Sequence, residues 1–217
     1  MSRTIRIVIS LVVLGLVCSI GALIMLSRTQ VQSANAITTK PNIRDYGMHI
    51  LPFQLVDQDN TSVNESALRG HWTLVDFYFT NCISICPVMT SRMAQAQARF
   101  KDLPLRYASF SLDAAHDTPE ASKAYAQRYG ADFNTWLFLT GDNAQTQRLV
   151  RQGLNLVVDK DDFDITLNDG STMRNILHPS RLFLVAPDLK IVGMYDSADP
   201  AELDRLESDL SGLIPSG

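Results

Sequence analysis

The stretch TLVDFYFTNCISICPVMTSRMAQAQARF, residues 73–100, decides how the rest of the chain is read. It opens as a mostly apolar run with aromatics and valine over 73–79, which suits a central strand covered on both faces. It closes as a helix over 88–100, with Val88, Met89, Met93, Ala96 and Phe100 at helical spacing. That spacing assigns the two methionines to a buried face rather than to thioether ligation. Between strand and helix stand Cys82 and Cys86. Pro87 disfavours helical geometry in the residue before it and sacrifices no hydrogen bond in a first turn, so the helix is expected to begin at Pro87 with Cys86 just outside. Both sulfurs then lie near a helix N-terminus, where unpaired N–H groups and the macrodipole favour negative charge, and both thiols are expected to titrate low.

On either side of this corner, periodicity and turn residues give the order of elements. HILPFQLVDQ (49–58) alternates like a strand and LRYASFSL (105–112) reads as another. Thr118 caps a helix that starts at Pro119, runs through Tyr129 and stops at Gly130. TWLFLTG (135–141) is a short strand, DNAQTQRLVRQ (142–152) a helix capped by Asp142, and LNLVV (154–158) an extended run. DDFDITLNDGSTMRN (161–175) reads as a hairpin turning at Asp169-Gly170, and residues 181–188 with 190–197 form a second around Pro187-Asp188. An amphipathic helix over 200–214 ends the series. Strands alternating with helices, followed by a late antiparallel pair and a last helix, predict an α/β fold: a mixed central sheet flanked by helices in thioredoxin-like order.

The chain has 217 residues, 46% of them apolar and 19% charged, enough for one core. Its charges are unevenly placed. All four charged side chains among the first forty residues (Arg3, Arg6, Arg28, Lys40) are basic, leaving 15 basic against 23 acidic groups in 41–217. A domain that acidic repels phosphate backbones, which argues against nucleic acid as a partner. From Ile7 to Leu26 there is no charge for twenty residues, enough for a helix to span a bilayer's hydrocarbon, about 30 Å. The run exceeds the apolar region of a cleaved signal peptide, and ten residues separate Leu26 from a cut after the small-x-small site Ala34-Asn35-Ala36. The expected organisation is therefore a cytoplasmic N-terminus (1–6), a transmembrane anchor helix (7–26), a flexible tether (27–42) and a folded domain (43–217).

Two cysteines four apart hold sulfurs in a wider bite than C-x-x-C, able to grip a metal and, where the Cα atoms are close enough, to form a disulfide. Two thiolates leave a metal under-coordinated, so a third ligand is sought among His49, His71, His116 and His178. His49 and His71 sit at strand ends, and His116 lies in a loop where solvation is the default. His178 directly precedes the strand RLFLV, where a thioredoxin-like order brings a loop against the dithiol corner. Spacing alone leaves it open whether His178 is a ligand or a solvated loop residue. Two thiolates with one imidazole suit copper, whereas zinc asks for a fourth ligand.

FYFTNCISICP, SFSLDAAHDTPEASKAYAQRYG and the histidine followed by RLFLVAPDLKIVGMYD resemble, in order and spacing, the Sco/SenC family of copper-binding, thioredoxin-fold proteins over about residues 45–210. The resemblance implies one copper, as Cu(I) or Cu(II), held by Cys82, Cys86 and His178, with Asp113 of the SLD motif as a carboxylate that braces the site. It implies a metallochaperone for the copper site of cytochrome c oxidase, partnered by that enzyme's copper-bearing subunit or by another copper chaperone. The family commonly has proline and then an acidic residue after the first cysteine, and an aspartate before the histidine. Here Ile83, Ser84 and Leu177 stand instead, making the corner less anionic. The alternative is a thiol:disulfide oxidoreductase using Cys82 and Cys86 as a redox pair. A peroxidase is disfavoured because no activating arginine stands near Cys82 in the sequence. A disulfide-capable pair beyond an anchor suits an oxidising compartment, and the short stretch before the anchor lacks the form of a mitochondrial presequence. The expected location is a bacterial inner membrane with the domain in the periplasm, ahead of the mitochondrial inner membrane.

Overall fold

The computed structural model describes residues 43–83, 85–157, 159–166, 170, 172–177 and 180–214. The anchor and tether expected over 7–42 lie outside these, as does His178; among the described residues no helix is long and apolar enough to cross a membrane.

A hairpin of β1 (Gln54–Val56) and β2 (Ser62–Asn64) is followed by β3 (Trp72–Tyr78), α1 (Ile85–Arg99), β4 (Leu105–Ser111), α2 (Pro119–Arg128), β5 (Trp136–Leu139) and α3 (Asn143–Arg148). A hairpin of β6 (Asp159–Thr166) and β7 (Thr172–Leu177) comes next, then β8 (Arg181–Val185), β9 (Ile191–Asp196) and α4 (Glu202–Leu213). The central sheet has the order β5-β4-β3-β8-β9: β5, β4 and β3 run parallel, and β8 and β9 add antiparallel. This is the mixed thioredoxin-like sheet expected from the element order.

β3 is central because its side chains are buried on both faces. Leu74 and Tyr78 pack with Met93, Ala96, Trp136 and Leu206 on one side, and Val75 and Phe77 with Ile50, Phe110, Leu139 and Val185 on the other. Thr118 and Asp142 cap their helices as their positions suggest, accepting from the N–H groups of Ala121 and Ala144. Gly130 ends the α2 segment at φ +71°, a left-handed conformation that glycine adopts without a Cβ penalty.

Several expectations are corrected. Residues 49–53 are not part of β1. His49 instead bridges Lys190, and Ile50 donates to the Leu189 carbonyl, because Pro52 has no N–H to continue a ladder. No strand forms at 154–157. A π-helical turn over Leu149–Gly153 continues α3, and Asn155 then takes φ +49°. α1 begins at Ile85, two residues ahead of Pro87, since a first-turn proline gives up nothing even at the third helical position. Val88, read as part of the buried face, is 41% exposed, while Met89, Met93 and Ala96 are fully buried.

Asp76 of β3 is fully buried on the face that packs against α1. Its Oδ1 accepts from Ser109 Oγ at 2.5 Å, and that hydroxyl in turn accepts from Trp136 Nε1 at 2.9 Å. Among the described residues Oδ2 has no hydrogen-bond partner. Burial pushes the carboxyl up to about 7, against a smaller opposing effect of Ser109. With the folded value raised above the unfolded one, stability is greatest below the unfolded pKa and falls as pH rises toward and through 7. Asp76→Asn, which cannot ionise, should be the more stable protein at pH 8 by a few kcal/mol, an advantage that shrinks as pH falls toward 4. Urea unfolding midpoints of both proteins across that range measure the crossover, and a pH-independent difference would contradict the assignment.

Candidate functional site

Strands β3 and β4 are parallel and in register, Tyr78 opposite Ser111, so the loops that follow them leave the same edge of the sheet. In open α/β sheets this carboxyl edge is where reactive groups gather. One loop carries Cys82; the other carries Asp113, His116 and Asp117.

Cys82 and Cys86 pack with Phe79 into a small buried cluster, flanked by Ile85 and Ile176. Cys82 follows a turn in which its N–H donates to the Phe79 carbonyl at 3.1 Å. Cys86 lies in the first turn of α1, and its N–H donates to Cys82 Sγ at 3.3 Å. The Cys82 sulfur thus takes the place of a capping oxygen, accepting one of the first-turn N–H groups that have no partner inside the helix. The two differ in access: Cys82 is 7% exposed and Cys86 is sealed, while Ile83 between them projects into solvent at 76% exposure.

The expectation that both thiols titrate low is corrected for Cys86. Burial pushes its thiol well above the ordinary value, and the neighbouring Cys82 sulfur adds to the rise. A macrodipole contributes about 2 kcal/mol at best, and loss of hydration outweighs that at a sealed sulfur. A buried sulfur that resists ionisation alone, with a second sulfur beside it, is matched by a soft cation, whose charge would offset that penalty. Among the described residues no three His, Cys, Asp or Glu side chains gather into a metal-holding group. β7 nevertheless reaches the corner: Ile176, two residues before His178 in the sequence, packs against the cysteine cluster.

Asp113 is buried. Its Oδ2 meets His116 Nδ1 at 2.7 Å and its N–H donates to Ser111 Oγ. The residue that ties the two loops together is Asp117, which the sequence marked only as the approach to a helix. Fully buried, its carboxylate accepts from Thr80 N and Oγ1 at 2.9 and 2.6 Å and from Ser111 Oγ at 2.6 Å. Its carbonyl accepts from Thr140 Oγ1 at 2.5 Å. Burial raises the Asp117 carboxyl to about 6, held there against the lowering by Ser111 and Thr80. A sequence signal existed in the aspartate just ahead of Thr118-Pro119, but the N-cap role fell to Thr118 and the long-range role had no local pattern. His49 and His116 are exposed and His71 is half-buried.

The SCO1/SenC family model matches residues 44–212. The chain is 32% identical over 162 residues to the SCO1 protein homolog of Bacillus subtilis, covering 73% of this chain and 79% of that protein. It is 31% identical over 212 residues, 94% of each chain, to a protein of Stutzerimonas stutzeri provisionally named as copper-binding. The solved structure of BsSco, described as a Sco-family cytochrome c oxidase assembly protein with a disulfide switch, superposes with a TM-score of 0.67 at 30% identity. That match covers 79% of this chain and 96% of the other.

Removing the Asp117 carboxylate leaves two hydroxyl donors and one backbone N–H unpaired beside the cysteine loop. Asp117→Ala should cost about 2–4 kcal/mol in chemical denaturation, against about 1 kcal/mol for Thr80→Val, which keeps the backbone bond. Equal losses for the two would place the energy in the hydroxyl alone.

Proposed function

Because the chain belongs to the SCO1/SenC family, we propose that it is a membrane-tethered copper metallochaperone that binds one copper through Cys82, Cys86 and His178 and serves copper-site assembly in cytochrome c oxidase. The observation that carries this reading is the corner itself: two sulfurs in one buried cluster at the start of a helix, with Ile176 of the strand that precedes His178 in sequence packed against them. The naming of the Stutzerimonas relative and the assembly role of BsSco support the metal and its destination. Copper supplies the positive charge that makes two neighbouring buried thiolates tolerable. The protein's own part is to hold Cys82 Sγ against the Cys86 N–H, to keep water from Cys86, and to leave Cys82 within reach of an incoming ligand. Met89 and Met93, fully buried in the helix face, are core and not donors.

The uncharged run 7–26 is the proposed anchor, 27–42 the tether, and the periplasmic face of a bacterial inner membrane the proposed location. The copper-bearing subunit of the oxidase, or another copper chaperone, is the proposed partner. Copper counted per chain in the reduced protein should fall from one to near zero in Cys82→Ser and Cys86→Ser and drop sharply in His178→Ala. Full stoichiometry in His178→Ala would remove that imidazole from the site.

The closeness of the two sulfurs and the disulfide switch described for BsSco favour a second use of the same corner. Cys82 thiolate attacks a partner disulfide and releases one partner thiolate; Cys86 then attacks the mixed disulfide, releasing the second and leaving a Cys82–Cys86 bond. The access difference supports this order, so Cys86→Ser should accumulate a mixed disulfide with a model disulfide and Cys82→Ser should not, as read by mass spectrometry. His178→Ala leaves this exchange intact, which separates the two uses.

A further inference from the structure

We propose that His116, turned by Asp113, is an accessory copper ligand that captures the ion at the rim of the cysteine corner before the sulfurs take it. The inference rests on the copper reading above and adds a residue to it. Four observations carry it. The first is the tautomer. His116 Nδ1 lies 2.7 Å from Asp113 Oδ2, and a carboxylate only accepts, so the shared proton sits on Nδ1 and the neutral ring has its lone pair on Nε2. A ligating histidine is held in this way, its other nitrogen donating to a carboxylate that fixes the ring and raises its basicity. The second is access. The His116 side chain is 44% exposed while Asp113 beneath it is only 10% exposed, a fixed support under an open imidazole.

The third is position. Leu112 N–H donates to the Tyr78 carbonyl, and Asp117 clasps Thr80, so the loop bearing His116 is fastened to the loop bearing Cys82. The hydrogen bonds run without a break from His116 to Asp113, through the Asp113 N–H to Ser111, then to Asp117 and to Thr80, two residues before Cys82. The fourth is separation. Among the described residues His116 and the sulfurs do not converge on one point, so the imidazole acts at an earlier step than the final site. That step is a ligand exchange. A bond from Nε2 to Cu(II) forms as a coordinated water leaves, no electron moves, and Nδ1 keeps its proton.

Two experiments on the full-length chain decide it. In a chain carrying Cys82→Ser, Cys86→Ser and His178→Ala, Cu(II) should give an electron paramagnetic resonance signal with nitrogen hyperfine structure that disappears on adding His116→Ala. An unchanged signal overturns the proposal. In the cysteine-intact chain, loading from a Cu(II)–glycine complex should slow about tenfold in His116→Ala and Asp113→Ala while copper per chain at the end stays the same. Asp113→Asn, whose Oδ1 still accepts from Nδ1, should keep most of the rate. Loading of His116→Ala at the parental rate overturns the proposal. Failure of the parental chain to take up copper at its cysteines would instead sink the underlying reading, and the cysteine-free spectra would still judge the imidazole.

Discussion

Asp117 closes the α1 and α2 sides of the sheet edge onto each other. Its carboxylate belongs to the loop after β4, yet two of its three side-chain hydrogen bonds come from Thr80 on the loop after β3. An ionised group with no access to water would be expensive by itself, and three donors within 3 Å offset that cost. The cysteine turn needs this clasp because nothing periodic holds residues 79–83: the strand has ended, the helix has not begun, and Ile83 is out in solvent. A site on a loop is as exact as the contacts that stop the loop from moving.

The same accounting explains why the first-turn position of Cys86 does not make it a ready anion. The corner gives the Cys82 sulfur the Cys86 N–H, gives the Cys86 thiol a smaller relief through a backbone hydrogen bond from Phe79, and adds a weak field from a fifteen-residue helix. Against that stand full burial and a second sulfur close by. Asp76, deep in the adjoining core, adds a smaller push in the same direction. A cation is what the arrangement lacks electrostatically. Ser84 between the cysteines and Leu177 before His178 bring no carboxylate that would share that demand.

The sequence made the fold legible where pattern is local. β3 announced itself by aromatics and valine on both faces, α2 by Thr118 and Pro119, and the β8–β9 hairpin by Pro187-Asp188. The corner was legible too, because two cysteines between a strand and a helix can be seen without coordinates. What escaped depends on contacts between distant residues. The N-terminal segment around His49 pairs with Lys190, some 140 positions away, and so abandons the strand its alternation suggested. The separation of 37 positions from Thr80 to Asp117 hides the clasp in the same way. Val88 was misassigned because helical spacing marks a face but not its edge, and the edge of α1 nearest the cysteines is open.

That open edge gives the site a direction. Ile83, between the two cysteines, and Val88, just after them, are exposed, while of the sulfur-bearing residues Cys82 keeps slight exposure and Cys86 none. Under the proposed function an incoming group would meet Cys82 first, with Cys86 acting on what Cys82 already holds. The C-x-x-x-C spacing produces this asymmetry. With one more residue than C-x-x-C, the second cysteine enters the helix's first turn and points into the cluster with Phe79, while the first stays on the turn before it and caps the helix with its sulfur. Loss of that N–H···S contact accompanies any bond Cys82 makes in a new direction, so capture at this corner and the order of the first helical turn are coupled through a single atom.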